Sequence, residues 1–409
     1  MILTHMENCY LLEGCGPSDG SNPINGAKNA TSRYSHLKDE LDDDSINHGA
    51  YLVTTKDMAA SDIQYGVVDL FSGAGGISQG LREAGFKKLL SVELDKDASA
   101  TIRKNFHGSN HIEGEIEKVS ESQVLDAVAG KKVHLVIGGP PCNGFSVAGL
   151  RKPDDPRNQL FREFIRIVKI IQPDYAVMEN VPGILTMQKG KVYKEIIRQF
   201  EKAGYPGMSV RILESATFGA PQLRARAIFV ANKHGLPNPY PEEIYSKQEY
   251  KTIESAIGDL ADVGRNEFPN HEWTNHSKKF IERISAVQPG SSLYKTFRDA
   301  YKRQHKGVPS MTVKENHGGC HIHYELNRVL SAREMARLQT FPDSYIFEGT
   351  MKRVYWQIGN AVPCIMARHI GFAVRHMLDL LYNGSIENAD YKPMMKPLQK
   401  ECLEIPLFI

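Results

Sequence analysis

Cys142 is the residue whose type and position are best suited to covalent chemistry. The apolar run 133–138 predicts a β-strand, and Pro140 and Pro141 fix the φ angles of the loop that leads from this strand to the cysteine. This loop would hold a thiol at the carboxyl edge of a sheet, where it can act as a nucleophile. An isolated cysteine is more often a small buried apolar residue, so the neighbouring side chains decide between the two interpretations.

A carboxyl group is predicted at the same edge. The run 175–179 predicts another strand, and it ends at Glu179. A thiolate beside a carboxylic acid suits chemistry on an electron-poor ring such as cytosine. Addition of the thiolate to carbon 6, with Glu179 as proton donor or hydrogen-bond partner at N3, turns carbon 5 into an enamine carbon that can accept a methyl group. Loss of the carbon 5 proton and expulsion of the thiol then restore the ring.

Two arginines precede a further predicted strand at 226–231. Alternation with a period of two would place Gln222, Arg224 and Arg226 on one side of the chain. The guanidinium groups of the two arginines could hold a cytosine carbonyl and a phosphate, or pair with Glu179 and its neighbours. We expect structural pairing for at least one of them.

A glycine-rich turn is predicted near these groups. The segment 69–76 follows the strand predicted at 66–71 and opens a helix. A ligand can approach its backbone closely at three glycines, Gly73, Gly75 and Gly76. Seventeen residues later, Glu93 is placed to accept hydrogen bonds from ribose hydroxyls. The dinucleotide fingerprint requires glycine where this chain has Ser78, which disfavours a dehydrogenase. A turn that only packs a helix against a strand is the structural alternative.

The elements that position these residues alternate between strand and helix. Strands are predicted at 66–71, 89–94, 133–138, 175–179 and 226–231, and helices at 76–84, 98–105, 159–171, 192–203, 331–340 and 365–381. This order predicts an α/β fold with a doubly wound, mostly parallel, Rossmann-like sheet. A second, smaller and irregular domain is predicted from the prolines and polar residues that follow.

The domain boundaries follow from shifts in composition. We predict a mobile N-terminal extension at 1–62, a catalytic domain at 63–231, an irregular domain at 232–327, a return to the catalytic domain at 328–385 and a C-terminal tail at 386–409. Within the irregular domain, the stretch 277–307 carries eight basic residues against two acidic ones. This is a candidate surface for phosphates, although a solvated helix face is the alternative.

Composition narrows the remaining choices. The formal net charge is only +2, so any nucleic-acid contact must come from a local patch. Six scattered cysteines do not form a disulfide framework, and no long apolar run predicts a membrane span. These features favour a cytoplasmic protein, associated with the nucleoid if the source is bacterial, and we expect a monomer.

Across residues 65 to about 375 the chain resembles the DNA (cytosine-5) methyltransferases, particularly those of bacterial restriction-modification systems. The matching blocks occur in the order of the family, at 69–76, 93, 114–116, 139–146, 179–181, 222–226, 333–343 and 357–363. The resemblance implies S-adenosylmethionine as cofactor, double-stranded DNA as substrate and a target-recognition domain at 232–327. Extrusion of the cytosine from the duplex is then required, because a pocket-bound thiolate cannot reach a stacked base.

The resemblance also assigns roles to individual residues. Cys142 matches the nucleophile, Glu179 the acid at N3 and Arg224 a contact to the base, and we include Arg226 among the predicted catalytic residues. Besides the three glycines, the predicted cofactor pocket contains Phe71, Glu93, Leu94, Glu115, Ile116, Pro140, Leu160 and Asn360. The chain departs from the usual family pattern at Leu94, Glu115 and Asn143, which affects affinity or base extrusion and leaves the chemistry intact.

Two other functions remain open from the sequence. One is a tRNA cytosine-5 methyltransferase, and the other is a catalytically silent DNA-binding protein on the same scaffold. We expect no metal site, because the histidines and the cysteine between His317 and His323 lie too close in sequence to surround one tetrahedral ion.

Overall fold

The computed structural model describes residues 50–54, 63–141, 160–295, 300–314 and 321–384. The strands in these ranges are β1 Ala50–Val53, β2 Gly66–Leu70, β3 Lys87–Glu93, β4 Asn110–Glu113, β5 Leu135–Gly138, β6 Tyr175–Asn180, β7 Ser209–Glu214, β8 Ala225–Asn232 and β9 Asn238–Pro241. The α-helices are α1 Gly76–Glu83, α2 Lys96–Asn105, α3 Glu121–Val128, α4 Leu160–Ile171, α5 Lys191–Lys202, α6 Ile253–Ile257, α7 Lys278–Ser285, α8 Ala332–Leu338, α9 Met351–Asn360 and α10 Cys364–Tyr382.

The main sheet has seven strands in the order β4-β3-β2-β5-β6-β8-β7. All neighbouring pairs are parallel except those that β8 makes with β6 and β7. The predicted α/β class with a mostly parallel sheet is therefore confirmed. The strand order reverses between β2 and β5, and in such sheets ligands bind in the crevice at the carboxyl ends of the two strands at this point.

Helices cover both faces of the sheet, which explains why β2 is buried along its whole length. One face packs against α3, α4 and α5, and the other packs against α1 and α10. Gly80 allows α1 and α10 to approach closely, because a Cβ placed there would lie 2.2 Å from the Cys364 carbonyl oxygen. The first glycine-rich segment is therefore held against the C-terminal helix.

The predicted strands and helices of the sheet are found within about three residues of their expected ends. Strands β4 and β7 were not predicted. Strand β4 lies at the edge of the sheet and consists of the mostly polar residues Asn110, His111, Ile112 and Glu113, so that it has no apolar run. In β7, the buried Arg211 interrupts the apolar pattern.

The strand β1 differs from the prediction of a mobile extension at 1–62. It pairs in parallel with β9, which itself lies within the predicted irregular domain. The pairing is stabilised by burial: Val53 and Tyr240 are almost fully inaccessible and belong to the same core cluster as α10. Four residues of the predicted extension are thus part of the folded core.

The described part of the predicted irregular domain contains little regular structure beyond β9, α6 and α7. It packs against the predicted catalytic domain through a separate apolar cluster, in which Ile253, Ile257 and Val313 contact side chains of α8 and α9. None of the helices in the described ranges has both the length and the apolar character needed to cross a bilayer.

Candidate active site

The loop that leads to Cys142 begins at the point where the strand order reverses. Gly138 ends β5 opposite Leu70 of β2, and a Cβ on Gly138 would lie 2.1 Å from the Leu70 carbonyl oxygen. The glycine turn and the cysteine loop therefore leave the sheet side by side. Cys142 itself lies outside the described residues, as does Asn143.

The start of this loop is fixed to β6. The Asn180 side-chain amide donates a hydrogen bond to the Pro140 carbonyl oxygen at 3.1 Å. A Cβ on Gly139 would lie 2.6 Å from Glu179 Oε2, so only glycine leaves room for the carboxyl group. Glu179 and the backbone that precedes Cys142 are thus brought together, as the sequence predicts. Asn180 was not predicted as a positioning residue.

Arg226 forms an ion pair with Glu179, with 2.7 Å between Nε and Oε1. The pairing follows from strand register: Glu179 lies opposite Ile228, and Arg226 lies two residues before Ile228 on the same face of the sheet. The two side chains are only 13% and 14% exposed, so the ion pair is largely shielded from water. The expected structural pairing of one arginine is therefore found at Arg226.

Arg224 is placed differently from the prediction that it contacts the base. Its side chain is 3% exposed and donates to the carbonyl oxygens of Val313 at 2.8 Å and Gly359 at 2.9 Å. The alternation argument fails because β8 begins at Ala225, so that Gln222 and Arg224 precede the regular strand. Burial lowers the pKa of the Arg224 guanidinium well below its usual value.

Glu214 holds the backbone of this segment. Its Oε1 accepts a hydrogen bond from the Arg224 backbone N–H at 2.6 Å, and burial raises the pKa of the Glu214 carboxyl to about 7. Sequence reasoning missed this residue. Its contact spans a turn, and a glutamate at the end of a short strand gives no pattern that distinguishes it from a surface residue.

The glycine turn is joined to Glu93 of the neighbouring strand. Glu93 Oε2 accepts from the Gly73 backbone N–H at 2.7 Å, and Oε1 accepts from the Asp95 backbone N–H at 2.8 Å. Gly73 has a φ of +51°, and a Cβ placed on it would have no described heavy atom within 4 Å. At Gly73, the described part of the chain therefore leaves room beside a carboxyl group, which fits a nucleoside ligand.

The other predicted cofactor residues lie along the same side of the turn or close to it. The Gly114 backbone N–H donates to the Glu93 carbonyl at 2.9 Å, which places Glu115 and Ile116 next to β3. Ile116 is buried, whereas Glu115 is half exposed and pairs with Lys118. In this arrangement the Glu115 carboxyl is engaged by a surface lysine.

The end of α9 closes the opposite side of the turn. A Cβ on Gly76 would lie 2.4 Å from the Val362 carbonyl oxygen and 3.2 Å from Ala361 Cβ, so the segment that follows Asn360 lies directly against the turn. Tyr345 adds a hydrogen bond from its hydroxyl to the Ala74 carbonyl oxygen. The separation of 271 residues left no signal for Tyr345 in the sequence.

The remaining predicted pocket residues have the following environments. Leu94 is 65% exposed and Asn360 is exposed, Phe71 and Leu160 are half-buried, and Pro140 is buried. Phe71 adopts a φ of +56°, a backbone conformation that residues other than glycine, asparagine and aspartate seldom take. The unusual backbone directs the chain from β2 into the glycine turn.

Ser78 explains the departure from the dinucleotide fingerprint. Its hydroxyl donates to Asp69 Oδ2 at 2.5 Å, and Asp69 is fully buried. Burial raises the pKa of the Asp69 carboxyl to about 6. A glycine at position 78 would remove this hydroxyl donor from the buried Asp69 carboxyl group.

Part of the histidine-rich segment, including His317 and Cys320, lies outside the described residues. His323 is buried, and its Nδ1 accepts from the backbone N–H groups of Glu325 and Leu326. Among the residues whose placement is described, there is no group of three or more candidate ligands that could hold a metal ion.

The seven-stranded sheet, its glycine turn and the Glu179–Arg226 pair beside the loop to Cys142 define a Rossmann-like methyltransferase. The family model of C-5 cytosine-specific DNA methylases matches residues 65–376. The chain belongs to this family, and it is an enzyme of the DNA (cytosine-5) methyltransferase class.

Several relatives support this assignment. The type II methyltransferase M1.HphI of Haemophilus parahaemolyticus is 42% identical over 325 residues, which are 76% of this chain and 86% of that protein. M.DdeI of Desulfomicrobium norvegicum is 33% identical over 389 residues, which cover 81% and 93% of the two chains.

Solved structures of other proteins share the fold of this chain. A prophage-encoded E. coli protein, described as a DNA modification methyltransferase, superimposes with a TM-score of 0.67 at 27% identity, covering 77% of this chain and 99% of that one. Spodoptera frugiperda DNMT2 shares the fold with a TM-score of 0.55 at 18% identity, covering 78% and 99%.

The environment of Glu93 predicts a pH-dependent affinity for S-adenosylmethionine, the cofactor that the family resemblance implies. Burial raises the pKa of the Glu93 carboxyl to about 7. Because ribose hydroxyls donate to the carboxylate form, binding lowers this pKa, and affinity should rise as the pH increases from 6 to 8 and then level off. Calorimetric titration across this range should show an increase of several-fold. Glu93→Gln should bind more weakly and lose the slope; an unchanged slope in the variant would exclude Glu93 as its source.

Proposed function

We propose that this enzyme transfers a methyl group from S-adenosylmethionine to carbon 5 of a cytosine in a specific duplex DNA sequence, through a covalent adduct between Cys142 and carbon 6. The observation that carries the proposal is the position of Glu179. Its carboxyl group is paired with Arg226 and directed at Gly139, three residues before Cys142, beside the glycine turn. Acid, thiol loop and cofactor turn thus meet at one edge of the sheet.

The residues of the chain divide the chemistry between them. The hydrogen bond from Asn180 to Pro140 fixes the start of the loop that presents the Cys142 thiolate to carbon 6. Glu179 contacts N3 of the cytosine and holds or donates a proton there. Arg226 orients the Glu179 carboxyl, donates to the Ala225 carbonyl with one terminal nitrogen, and offers its other terminal nitrogen to the cytosine carbonyl. Bound S-adenosylmethionine supplies the methyl group, and the loss of the carbon 5 proton releases the thiol.

The cofactor would be held by the residues around the glycine turn. Glu93 accepts hydrogen bonds from the ribose hydroxyls, and Gly73 leaves space for the nucleoside. Leu94 offers an exposed apolar side chain to the adenine ring, and Asn360 ends α9 directly before Ala361, which lies against Gly76.

Duplex DNA would be recognised by the irregular domain at 232–327, and the target cytosine would be extruded into the site. The basic residues of the stretch 277–307 differ in their exposure to solvent. Lys278, Lys279 and Arg283 lie on the exposed side of α7, where they can reach phosphates. Arg303 is 5% exposed and donates to backbone carbonyls of Val287 and neighbouring residues, so its role is structural.

The relatives point to a biological setting. M1.HphI and M.DdeI are both named type II methyltransferases. We therefore propose that this chain is the modification enzyme of a bacterial restriction-modification system, acting in the cytoplasm.

A methyl-transfer assay tests the proposed function against its two alternatives. The chain is incubated with labelled S-adenosylmethionine and either mixed-sequence duplex DNA or tRNA, and the product nucleoside is identified by mass spectrometry. Label should enter DNA as 5-methylcytosine, and Cys142→Ala should abolish it by at least about four orders of magnitude, because without the thiolate carbon 5 is not activated. Label in tRNA would support a tRNA enzyme. No label with either substrate, together with DNA binding, would support a catalytically silent protein.

The exposed side of α7 predicts a salt-dependent contribution to DNA affinity. Replacing Lys278 and Lys279 together by glutamine should weaken binding of all duplex sequences to a similar extent, because phosphate contacts do not read bases. The slope of log K against log salt should fall by about two. Fluorescence anisotropy at several salt concentrations measures both quantities. Lys306→Gln serves as the matched control, since Lys306 pairs with Glu254 and Glu325. An unchanged slope in the double variant would place the phosphates elsewhere.

A further inference from the structure

Val313 is bound on both sides of its peptide backbone by the segment that precedes β8. Its N–H donates to Gln222 Oε1 at 3.0 Å, and its carbonyl oxygen accepts from Arg224 at 2.8 Å. Thr312 adds a hydrogen bond from its hydroxyl to the Leu223 carbonyl at 2.7 Å. The irregular domain, proposed above to recognise DNA, is therefore fixed at this point to the end of the main sheet.

The same two side chains extend to the cofactor side. Arg224 donates with its second terminal nitrogen to the Gly359 carbonyl at 2.9 Å, directly before Asn360. Gln222 donates to Gln339 Oε1 at 2.6 Å. The Gln339 amide in turn donates to the carbonyls of Ile358 and Ala361 at 2.7 and 3.1 Å. This network therefore ends at the segment that lies against Gly76.

The side chains of this network are buried, and one cation in it makes two hydrogen bonds. Gln222, Arg224 and Gln339 are each no more than 3% exposed. Among the described residues, the Arg224 guanidinium has no ion-pair partner within 4.0 Å. Its two terminal nitrogens donate to the two carbonyls, and its buried Nε has no hydrogen-bond partner there. A buried charge held in this way is costly unless both hydrogen bonds form. Displacement of the Val313 carbonyl would therefore shift the guanidinium and disturb its hydrogen bond to Gly359, and the reverse would hold as well. Lysine cannot reproduce the contact, because a single ammonium group lacks the planar fork that spans two diverging carbonyls.

We propose that Arg224 is a positioning residue that couples DNA binding to cofactor binding, by holding the backbone at Val313 and the backbone at Gly359 in one arrangement. The inference rests on the proposed function, because it takes the irregular domain as the DNA side and the end of α9 as the cofactor side. It assigns Arg224 a role different from contact with the base.

The coupling is measured as a ratio of affinities. Binding of S-adenosylhomocysteine, which cannot be turned over, is titrated with and without a duplex that the wild-type enzyme methylates. The duplex should strengthen cofactor binding at least about fivefold in the wild-type enzyme. In Arg224→Lys, the ratio of cofactor affinities with and without the duplex should fall towards one. The KM values for DNA and for S-adenosylmethionine should both rise, and kcat should fall no more than about threefold. Arg226→Lys should retain the ratio and lose kcat, because Arg226 contacts Glu179.

Thr312→Val is the matched control. This substitution removes the hydrogen bond from Thr312 to the Leu223 carbonyl and leaves the contact between Arg224 and Gly359 intact. The ratio of cofactor affinities with and without the duplex should therefore remain that of the wild-type enzyme. If Arg224→Lys does not fold by circular dichroism, Gln339→Met, which removes the parallel contacts to Ile358 and Ala361, is measured in the same way and should also lower the ratio.

Three results would overturn the inference. The first is a ratio of cofactor affinities near one in the wild-type enzyme, and the second is an unchanged ratio in the folded Arg224→Lys or Gln339→Met variant. The third is a fall in kcat of about a hundredfold in Arg224→Lys at unchanged KM, which would indicate contact with the base. Failure of the wild-type enzyme to methylate any DNA would instead refute the proposed function.

Discussion

The ion pair between Glu179 and Arg226 is the interaction on which the site depends. Both side chains are largely buried, so removal of either partner would leave an uncompensated charge, at a cost of about 3–5 kcal/mol. The pair forms because β8 runs antiparallel to β6 and brings the arginine diagonally across from the acid. The single antiparallel partner of β6 therefore supplies the cation that orients the carboxyl group.

The parallel part of the sheet supplies the other components. Since β2 and β5 are neighbours at the reversal of strand order, the glycine turn and the loop to Cys142 emerge together. Close approach is possible only because glycine occupies positions 138 and 139, where a side chain would collide with Leu70 or with Glu179. Backbone geometry, more than side-chain contacts, thus determines where the thiol loop starts.

Much of this arrangement was predictable from the sequence, because it depends on local patterns. Short apolar runs predicted the central strands, and Glu93 and Glu179 were assigned to strand ends that the structure confirms. The partners of Arg224 could not be predicted, since Val313 and Gly359 are 89 and 135 residues away and contribute only backbone atoms. Strand β1 was missed for a similar reason: its four residues are stabilised by β9 and α10, which lie far along the chain.

Trapping the covalent adduct tests the central claim most directly. A duplex in which 5-fluorocytosine replaces the methylated cytosine is incubated with the enzyme and S-adenosylmethionine, since fluorine at carbon 5 prevents the proton loss that releases the thiol. Peptide mass spectrometry should then find the methylated nucleotide on the peptide that contains Cys142. An adduct at Cys320 or Cys364, or methylation of ordinary duplex with no adduct at all, would contradict the account.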